Sequence, residues 1–185
     1  MIRVFDLVIA LIGFSFLSPI FLFIYFFGLL FKLDPFFVQI RVGKDEKFFK
    51  LYKFRTMKKD TANLPTHLID ENSLTFFGPF LRKTKLDELP QLWNVLIGDM
   101  SLVGPRPCLT NQKELILRRR KFGLYTFKPG ITGLAQIRNI DMADPEKLSK
   151  VDLEMMSNLT LLSYLRYIFL TIAGNGAQDK INKIK

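Results

Sequence analysis

The sequence predicts a mainly helical α+β fold, in which a re-entrant N-terminal membrane helix hairpin precedes a small cytosolic domain. Leu7 to Phe31 form a run of 25 residues without a charge. Residues 35–57 hold two short runs rich in aromatic and β-branched residues around a polar turn, the pattern of a β-hairpin. The residues that follow contain mainly signals for the starts and ends of helices. The predicted division is a membrane anchor over residues 1–32 and a cytosolic domain over residues 33–185.

Composition excludes several classes of protein. With 49% hydrophobic residues, the chain is too apolar to be intrinsically disordered. The 27 Lys and Arg exceed the 17 Asp and Glu by a formal +10, which falls entirely after residue 31. One cysteine, Cys108, excludes an internal disulfide and favours a reducing, cytosolic location. One histidine, His67, excludes a Cys2His2 zinc site, and its polar surroundings predict a solvated side chain.

The apolar run is long enough to cross a membrane but is broken at its centre. As one helix it would extend about 38 Å, against a hydrocarbon core of about 30 Å. It lacks a small-residue cleavage site, so we expect it to be retained. Pro19, which follows Ser18, removes a backbone hydrogen bond and its ring clashes with the carbonyl of Ser15. The sequence therefore predicts a kink near the middle of the bilayer.

The flanks of this run leave its topology open. Arg3 precedes it, and Lys32, Arg41 and Lys44 follow it, so the positive-inside rule gives no orientation. A re-entrant hairpin would put both basic flanks on the cytosolic face, with the Ser18 hydroxyl satisfying part of the freed backbone. The alternative is a kinked helix that crosses once.

Beyond the anchor, the predicted hairpin puts Lys53 and Arg55 on one face of its second strand. Residues 60–75 are expected to be a polar loop.

Residues 76–86 mix phenylalanines with basic residues, which predicts a helix lying in lipid headgroups or, alternatively, an ordinary amphipathic core helix. Residues 159–174 are apolar but too short for a confident second span.

Further helices are predicted from their end signals. One begins near Pro90 and ends at Gly98, a second covers about 111–122, and a third is capped by Asp144. Residues 128–138 look like a loop followed by a strand. Asp152 falls on the apolar face of the third helix, where a carboxylate is expected to be either paired or functional.

Asp87 and Glu88 form the most informative pair in the chain. Two carboxylates directly before a helix should stay ionised at neutral pH and can serve as a nucleophile or a Mg²⁺ ligand. Arg82 lies just upstream, and a turn with one glycine and two prolines carries Arg106, a residue type that binds phosphate in a bidentate manner. This concentration predicts phosphate chemistry at a membrane surface.

These motifs together resemble those of the bacterial sugar transferases, which are also called monotopic phosphoglycosyl transferases. In size the chain is similar to the small, PglC-like members of that family. The resemblance covers residues 3–137. It rests on Arg3-x-Phe5-Asp6, Ser18-Pro19, QIRVG (39–43), KFRTM (53–57), DELPQLWNVLIGDMSLVGPRP (87–107) and KPGITGLAQI (128–137).

The resemblance implies transfer of a sugar 1-phosphate from a UDP-sugar to polyprenol (undecaprenyl) phosphate, with release of UMP, at the cytoplasmic face of the bacterial inner membrane. It implies Asp87 as nucleophile and Mg²⁺ ligand, with Glu88 as its catalytic partner. It also places phosphate-binding roles on Lys53, Arg82, Arg106 and Arg138. Arg55 and Asp152 are candidate pocket residues. The implied partners are UDP-sugar, polyprenol phosphate, membrane phospholipids and downstream glycosyltransferases.

The last quarter departs from the family pattern. Ile137 leads straight to Arg138-Asn139, without the longer glycine-containing stretch of the family, and Met155 and Met156 replace an aromatic residue after Asp152. Two other functions remain conceivable: an inactive membrane scaffold, and an anchored module that binds lipid or nucleic acid. Since phosphate substrates and lipid headgroups explain the positive charge, we expect no nucleic-acid partner.

Overall fold

The computed structural model describes residues 2–31, 34–58 and 73–176, and His67 lies outside these ranges, as does most of the predicted loop over 60–75. The fold is mainly helical α+β, as predicted. The helices of the described residues are α1 (Ile2–Phe16), α2 (Ser18–Leu30), α3 (Gly78–Lys83), α4 (Gln91–Ile97), α5 (Lys113–Lys121), α6 (Leu134–Ile137), α7 (Pro145–Ser157) and α8 (Leu161–Ile172). The strands are β1 (Phe36–Val42), β2 (Phe48–Phe54), β3 (Ser101–Val103) and β4 (Gly130–Thr132).

The break in the N-terminal apolar run is confirmed. Helices α1 and α2 meet at an angle of 58°. Pro19 lies in the first turn of α2, and the Ser18 hydroxyl donates to the Ser15 carbonyl at 2.8 Å. The hydroxyl thus satisfies the carbonyl that the proline ring prevents from bonding. Within the described ranges no single helix has the length and apolar character to cross a bilayer, whereas this bent pair together does.

Helix α1 packs into the core of the rest of the molecule. Ala10 is fully buried in a cluster that includes Val95 of α4 and Met100. Ile24 of α2 belongs to another cluster, with Phe54 at the end of β2. The predicted boundary at residue 32 therefore divides two parts of the chain that share apolar clusters.

The predicted β-hairpin is confirmed. Strands β1 and β2 are antiparallel, with Phe36 opposite Phe54 and Val42 opposite Phe48. A second, parallel pair, β3 and β4, was not predicted. The expectation of a loop and then a strand over 128–138 is confirmed only in part, because β4 follows Lys128 and Pro129 but ends at Thr132, and residues 134–137 form the helix α6. Strands of three residues carry too little alternation to be detected in sequence.

The predicted helix ends are confirmed. Helix α4 ends at Gly98, which has a left-handed φ of 96°, and the Asp144 side chain accepts a hydrogen bond from the backbone N–H of Lys147 at 3.0 Å. Helix α3 is shorter than the predicted 76–86, and its packing supports the core alternative for one face, whereas the headgroup alternative stays a prediction. Leu81 packs in the core, whereas Phe80 is half exposed.

Candidate active site

The two adjacent carboxylates lie on one turn of 3₁₀ helix, Leu86–Glu88, directly before α4. Lys85, just before this turn, has a left-handed φ of 57° and reverses the chain after α3. Asp87 is 6% exposed. The sequence-based expectation that the pair precedes a helix is therefore confirmed, and the turn places Asp87 in the lining of a cleft.

Glu88 joins two cations that come from distant parts of the chain. Lys53 of β2 donates from Nζ to Glu88 Oε1 at 2.8 Å. Arg106 Nη2 lies 3.7 Å from the same oxygen. All three side chains are largely screened from solvent. Glu88 therefore holds Lys53 and Arg106 beside the turn that carries Asp87.

The turn that carries Arg106 is fixed by close backbone contact. Gly104 at the end of β3 meets Gly130 of β4, and a Cβ on Gly130 would lie 2.6 Å from the Gly104 Cα. A Cβ on Gly104 would lie 2.5 Å from the Lys128 carbonyl oxygen. Glycine is required at both positions because any side chain would separate the strands.

Two arginines donate hydrogen bonds to backbone carbonyl groups of this turn. Arg119 Nη1 donates to the Arg106 carbonyl at 2.7 Å, and Arg41 Nη1 donates to the Pro107 carbonyl at 3.0 Å. Arg119 also donates from Nη2 to Asp152 Oδ2 at 2.7 Å. Asp152 is fully buried, and this burial raises its pKa although Arg119 opposes the shift. Asp152 is therefore paired, and it supports the Arg106 turn through Arg119.

Arg82, on α3, lines the cleft that contains the carboxylates. Its Nε donates to Thr56 Oγ1 at 3.0 Å. Its Nη1 is buried without a hydrogen-bond partner among the described residues. Arg82 and Asp87 line the same cleft. An arginine that is fixed at one nitrogen and unsatisfied at another is well placed to bind an anion there.

Two clefts meet at Glu88 and Arg106. The first has a volume of about 350 Å³ and also contains Arg82, Lys85 and Asp87. The second has about 250 Å³ and also contains Arg41 and Lys53. Because both are rich in cations and open to solvent, together they could accept a substrate with more than one phosphate group.

Three predicted site residues lie outside the two clefts, and their roles in the site stay predictions. Arg138, at the end of α6, forms an exposed pair with Glu154, with contacts of 3.1 and 3.2 Å. Arg55 follows β2 and donates to the backbone carbonyls of Asp34 and Phe36. Neither they nor the buried Asp152 line the two clefts. Their side chains are oriented by nearby carbonyl and charged groups that sequence alone does not reveal.

Sequence reasoning also missed several lining residues, among them Arg41 and Gln136. Arg41 was noted only as a basic flank of the apolar run. A usable signal was present, because Gln39 and Arg41 alternate within the otherwise apolar strand β1. Gln136 lies within the short helix α6, which was expected to be a strand.

The carboxylates are a sparse but adequate donor set for Mg²⁺. The described residues contain no group of three or more His, Cys, Asp or Glu side chains that could hold a metal. Mg²⁺ is commonly held by one or two carboxylates together with substrate phosphates and water. Asp87 and Glu88 are carboxylates of this kind, and the assignment of Asp87 as the Mg²⁺ ligand stays a prediction.

Comparison with known proteins identifies the class. The bacterial sugar transferase family matches residues 1–175, and this chain belongs to that family, which confirms the predicted enzyme class. It is 38% identical over 161 residues to the galactosyl transferase CpsE of Streptococcus agalactiae, covering 77% of this chain and 35% of that protein. It is 33% identical to the exopolysaccharide production protein PSS of Rhizobium leguminosarum, covering 96% of both.

A further relative bears on the substrate. The chain is 34% identical to the undecaprenyl-phosphate galactose phosphotransferase of Salmonella typhimurium over 186 residues, which cover 91% of this chain and 39% of that protein. The chain therefore spans well under half the length of the Salmonella and Streptococcus relatives, but nearly the whole of the Rhizobium protein.

Proposed function

We propose that this protein transfers a sugar 1-phosphate from a UDP-sugar to undecaprenyl phosphate, a polyprenol phosphate, and releases UMP. The observation that carries the proposal is the buried Asp87 in a cleft with Arg82, Lys85 and Arg106. A nucleophilic carboxylate surrounded by cations is suited to attack a phosphorus atom whose own charge would otherwise repel it. The name of the Salmonella relative supports the lipid acceptor.

The reaction proceeds in two displacements. An Asp87 carboxylate oxygen forms a bond to the phosphorus that bears the sugar, and the bond from that phosphorus to the UMP oxygen breaks. UMP leaves with the electron pair. An oxygen of undecaprenyl phosphate then bonds to the same phosphorus, and the bond to Asp87 breaks. No general base is needed, because the attacking lipid phosphate is already ionised.

The surrounding side chains offset charge in both steps. Arg82, with its unsatisfied Nη1, binds a phosphoryl oxygen beside Asp87. Glu88 orients Lys53 and Arg106, which offset the charge on the leaving phosphate. A Mg²⁺ ion bound through Asp87 and the diphosphate would supply further charge neutralisation.

The packing of both ends of the helix pair on the domain supports the re-entrant topology. Near the start of α1, Arg3 donates to the carbonyls of Val95 and Leu96, at 2.7 and 3.1 Å. Asp6 accepts from the Leu102 backbone N–H at 2.8 Å. At the far end, a Cβ on Gly28 would lie 3.2 Å from the Pro35 Cβ. The start of α1 is thus bound to the domain that follows α2, whereas a single crossing would put the two on opposite faces of the membrane.

The protein is therefore monotopic in this proposal, held at the cytoplasmic face of the bacterial inner membrane by its contacts with phospholipids. The apolar residues near the bend face outward, and Phe16, Phe23 and Phe26 are each more than half exposed. Burying such side chains in hydrocarbon stabilises insertion by about 1.5–3 kcal/mol each. The lipid product would pass to downstream glycosyltransferases.

The test is the covalent intermediate. Wild-type protein in detergent micelles, given Mg²⁺ and a panel of UDP-sugars without lipid, should release UMP and gain the mass of one sugar phosphate. Asp87→Asn should do neither, because the nucleophilic oxygen is lost. Asp45→Asn, an exposed turn residue, is the matched control and should react normally. Turnover by Asp87→Asn at the wild-type rate, or turnover without an adduct, would refute the nucleophile assignment.

A further inference from the structure

The lining of the second cleft includes three cationic side chains, and one of them, Arg41, has no role in the mechanism above. Arg41, Lys53 and Arg106 line it, and Glu88 is its carboxylate. Because three guanidinium or ammonium groups face one carboxylate, the cleft has an excess of positive charge. A phosphate group would offset this excess and accept hydrogen bonds from several donors at once.

Arg41 is held in place but not fully satisfied. Its Nη1 donates to the Pro107 carbonyl and its Nη2 donates to Gln39 Oε1. Its Nε is buried and has no hydrogen-bond partner among the described residues. Burial and the nearby charge of Arg106 lower the pKa of Arg41 to about 10. An arginine in this setting carries an electrostatic cost that a bound anion would relieve.

In-line displacement constrains what this anion must be. In the first step the UMP phosphate leaves from the side of the phosphorus opposite Asp87. In the second step the lipid phosphate must attack from the side opposite the bond to Asp87, which is the side that UMP vacated. The same cationic pocket next to the Asp87 cleft must therefore hold a phosphate group in both steps. The second cleft adjoins the first, sharing Glu88, Arg106 and Ile131.

We infer that the second cleft, with Arg41 as its fixed donor, binds the phosphate of UMP as it leaves and then the phosphate of the lipid as it attacks. This inference rests on the proposed function. It assigns Arg41 a contact with both substrates in turn. It also predicts that UMP and undecaprenyl phosphate compete for one pocket, so that UMP must leave before the lipid reacts.

The competing explanation is that Arg41 only braces the Pro107 carbonyl. Loss of a brace would lower the melting temperature and, by moving Arg106, weaken UMP binding at the same time, whereas loss of a phosphate ligand weakens UMP binding in a variant that keeps the wild-type melting temperature. Arg41→Gln removes the charge and the fork of donors. Arg41→Lys keeps the positive charge but replaces the planar guanidinium, which can bind phosphate through two nitrogens, with one ammonium group. Arg120→Gln makes the same charge change at an exposed pair with Glu46 and is the matched control.

The experiment uses the full chain in detergent micelles and measures three quantities for each variant. The first is the dissociation constant of UMP, measured by calorimetry. The second is the rate at which undecaprenyl phosphate discharges the isolated sugar-phosphate adduct, with and without added UMP. The third is the melting temperature. In the wild type, added UMP should slow discharge, and more lipid phosphate should overcome the effect.

Arg41→Gln should weaken UMP binding and slow adduct discharge by about tenfold or more each, the effect of losing a charged hydrogen bond. Arg41→Lys should give a smaller loss in both with a wild-type melting temperature, and Arg120→Gln should match the wild type. If Arg41→Gln does not fold, the UMP affinity and the discharge rate of Arg41→Lys test the inference on their own.

Unchanged UMP affinity in a folded Arg41 variant, or a loss in only one of the two measurements, would overturn the shared pocket. So would UMP that fails to slow discharge in the wild type. A wild type that forms no adduct would instead contradict the proposed function, a result distinct from any of these because UMP binding is measured without turnover.

Discussion

Two ion pairs near α7 show how the setting of a charge decides its role. Arg119 and Asp152 are 3% and 0% exposed, and their contact is 2.7 Å. Arg138 and Glu154 are 48% and 51% exposed, with a contact of 3.1 Å. Removing one partner of a buried pair leaves an uncompensated charge, whereas an exposed pair is replaced by water at little cost. Only the buried pair also reaches the Arg106 turn.

Asp152→Asn should therefore lower the free energy of unfolding by about 3–5 kcal/mol, because Arg119 loses its charged partner. Glu154→Gln, two residues further along the same helix, is the control and should change the free energy of unfolding by less than about 1 kcal/mol. Chemical denaturation in micelles measures both. Equal, small losses in the two variants would contradict the role assigned to the buried pair.

Site residues were predictable where a local pattern fixes them. Asp87 and Glu88 precede a helix whose start and end signals are local, and Arg106 lies in a turn marked by its own prolines and glycine. Arg138 was assigned from motif position alone. Its guanidinium pairs with Glu154 of α7, a contact that depends on how α6 and α7 pack, and its phosphate-binding role stays a prediction.

Among the elements, the short parallel pair β3 and β4 has the largest influence on the site. It holds the Arg106 turn against the segment that carries Gly130. Neither strand has a detectable pattern, since each is three residues long. The longer β1–β2 hairpin and the capped helix α7 were predicted, because their signals lie within the elements themselves.

Gly130→Ala should destabilise the protein by about 3 kcal/mol or more, because a Cβ there collides with the Gly104 backbone. It should also weaken UMP binding, since Arg106 would move. Gly13→Ala in α1 is the control, since its Cβ would meet only Leu92 Cδ1 at 3.6 Å. That variant should match the wild type or gain up to about 1 kcal/mol. Wild-type melting and UMP affinity for Gly130→Ala would refute the close-contact argument.

At the scale of the whole molecule, the anchor and the domain form one packed unit. Asp6 accepts hydrogen bonds from Ser101 Oγ and Tyr164 Oη, which lie on β3 and α8. Arg3 binds the last carbonyls of α4, the helix that follows the Asp87 turn. The start of α1 therefore cannot lie on the far side of a bilayer from the domain without breaking these contacts.

Labelling of intact spheroplasts with a membrane-impermeant thiol reagent tests this topology. A cysteine introduced as Ile2→Cys should stay unlabelled and become reactive only after lysis, as should the surface marker Asp45→Cys. The native Cys108 is buried and should contribute little signal. Labelling at residue 2 before lysis, with residue 45 protected, would establish a single crossing and refute the re-entrant arrangement.

The sequence by itself determined the broken apolar helix, the β-hairpin, the carboxylate pair and the basic residues around it. Each of these depends on residues close together in the chain. Only the tertiary structure decided which basic residues reach the carboxylates, because Arg41, Lys53 and Arg106 come from separate elements joined by side-chain contacts with carbonyls and with Glu88. It also decided that the start of the anchor packs on the domain that follows it, since Arg3 and Asp6 bind backbone groups about 90 residues away.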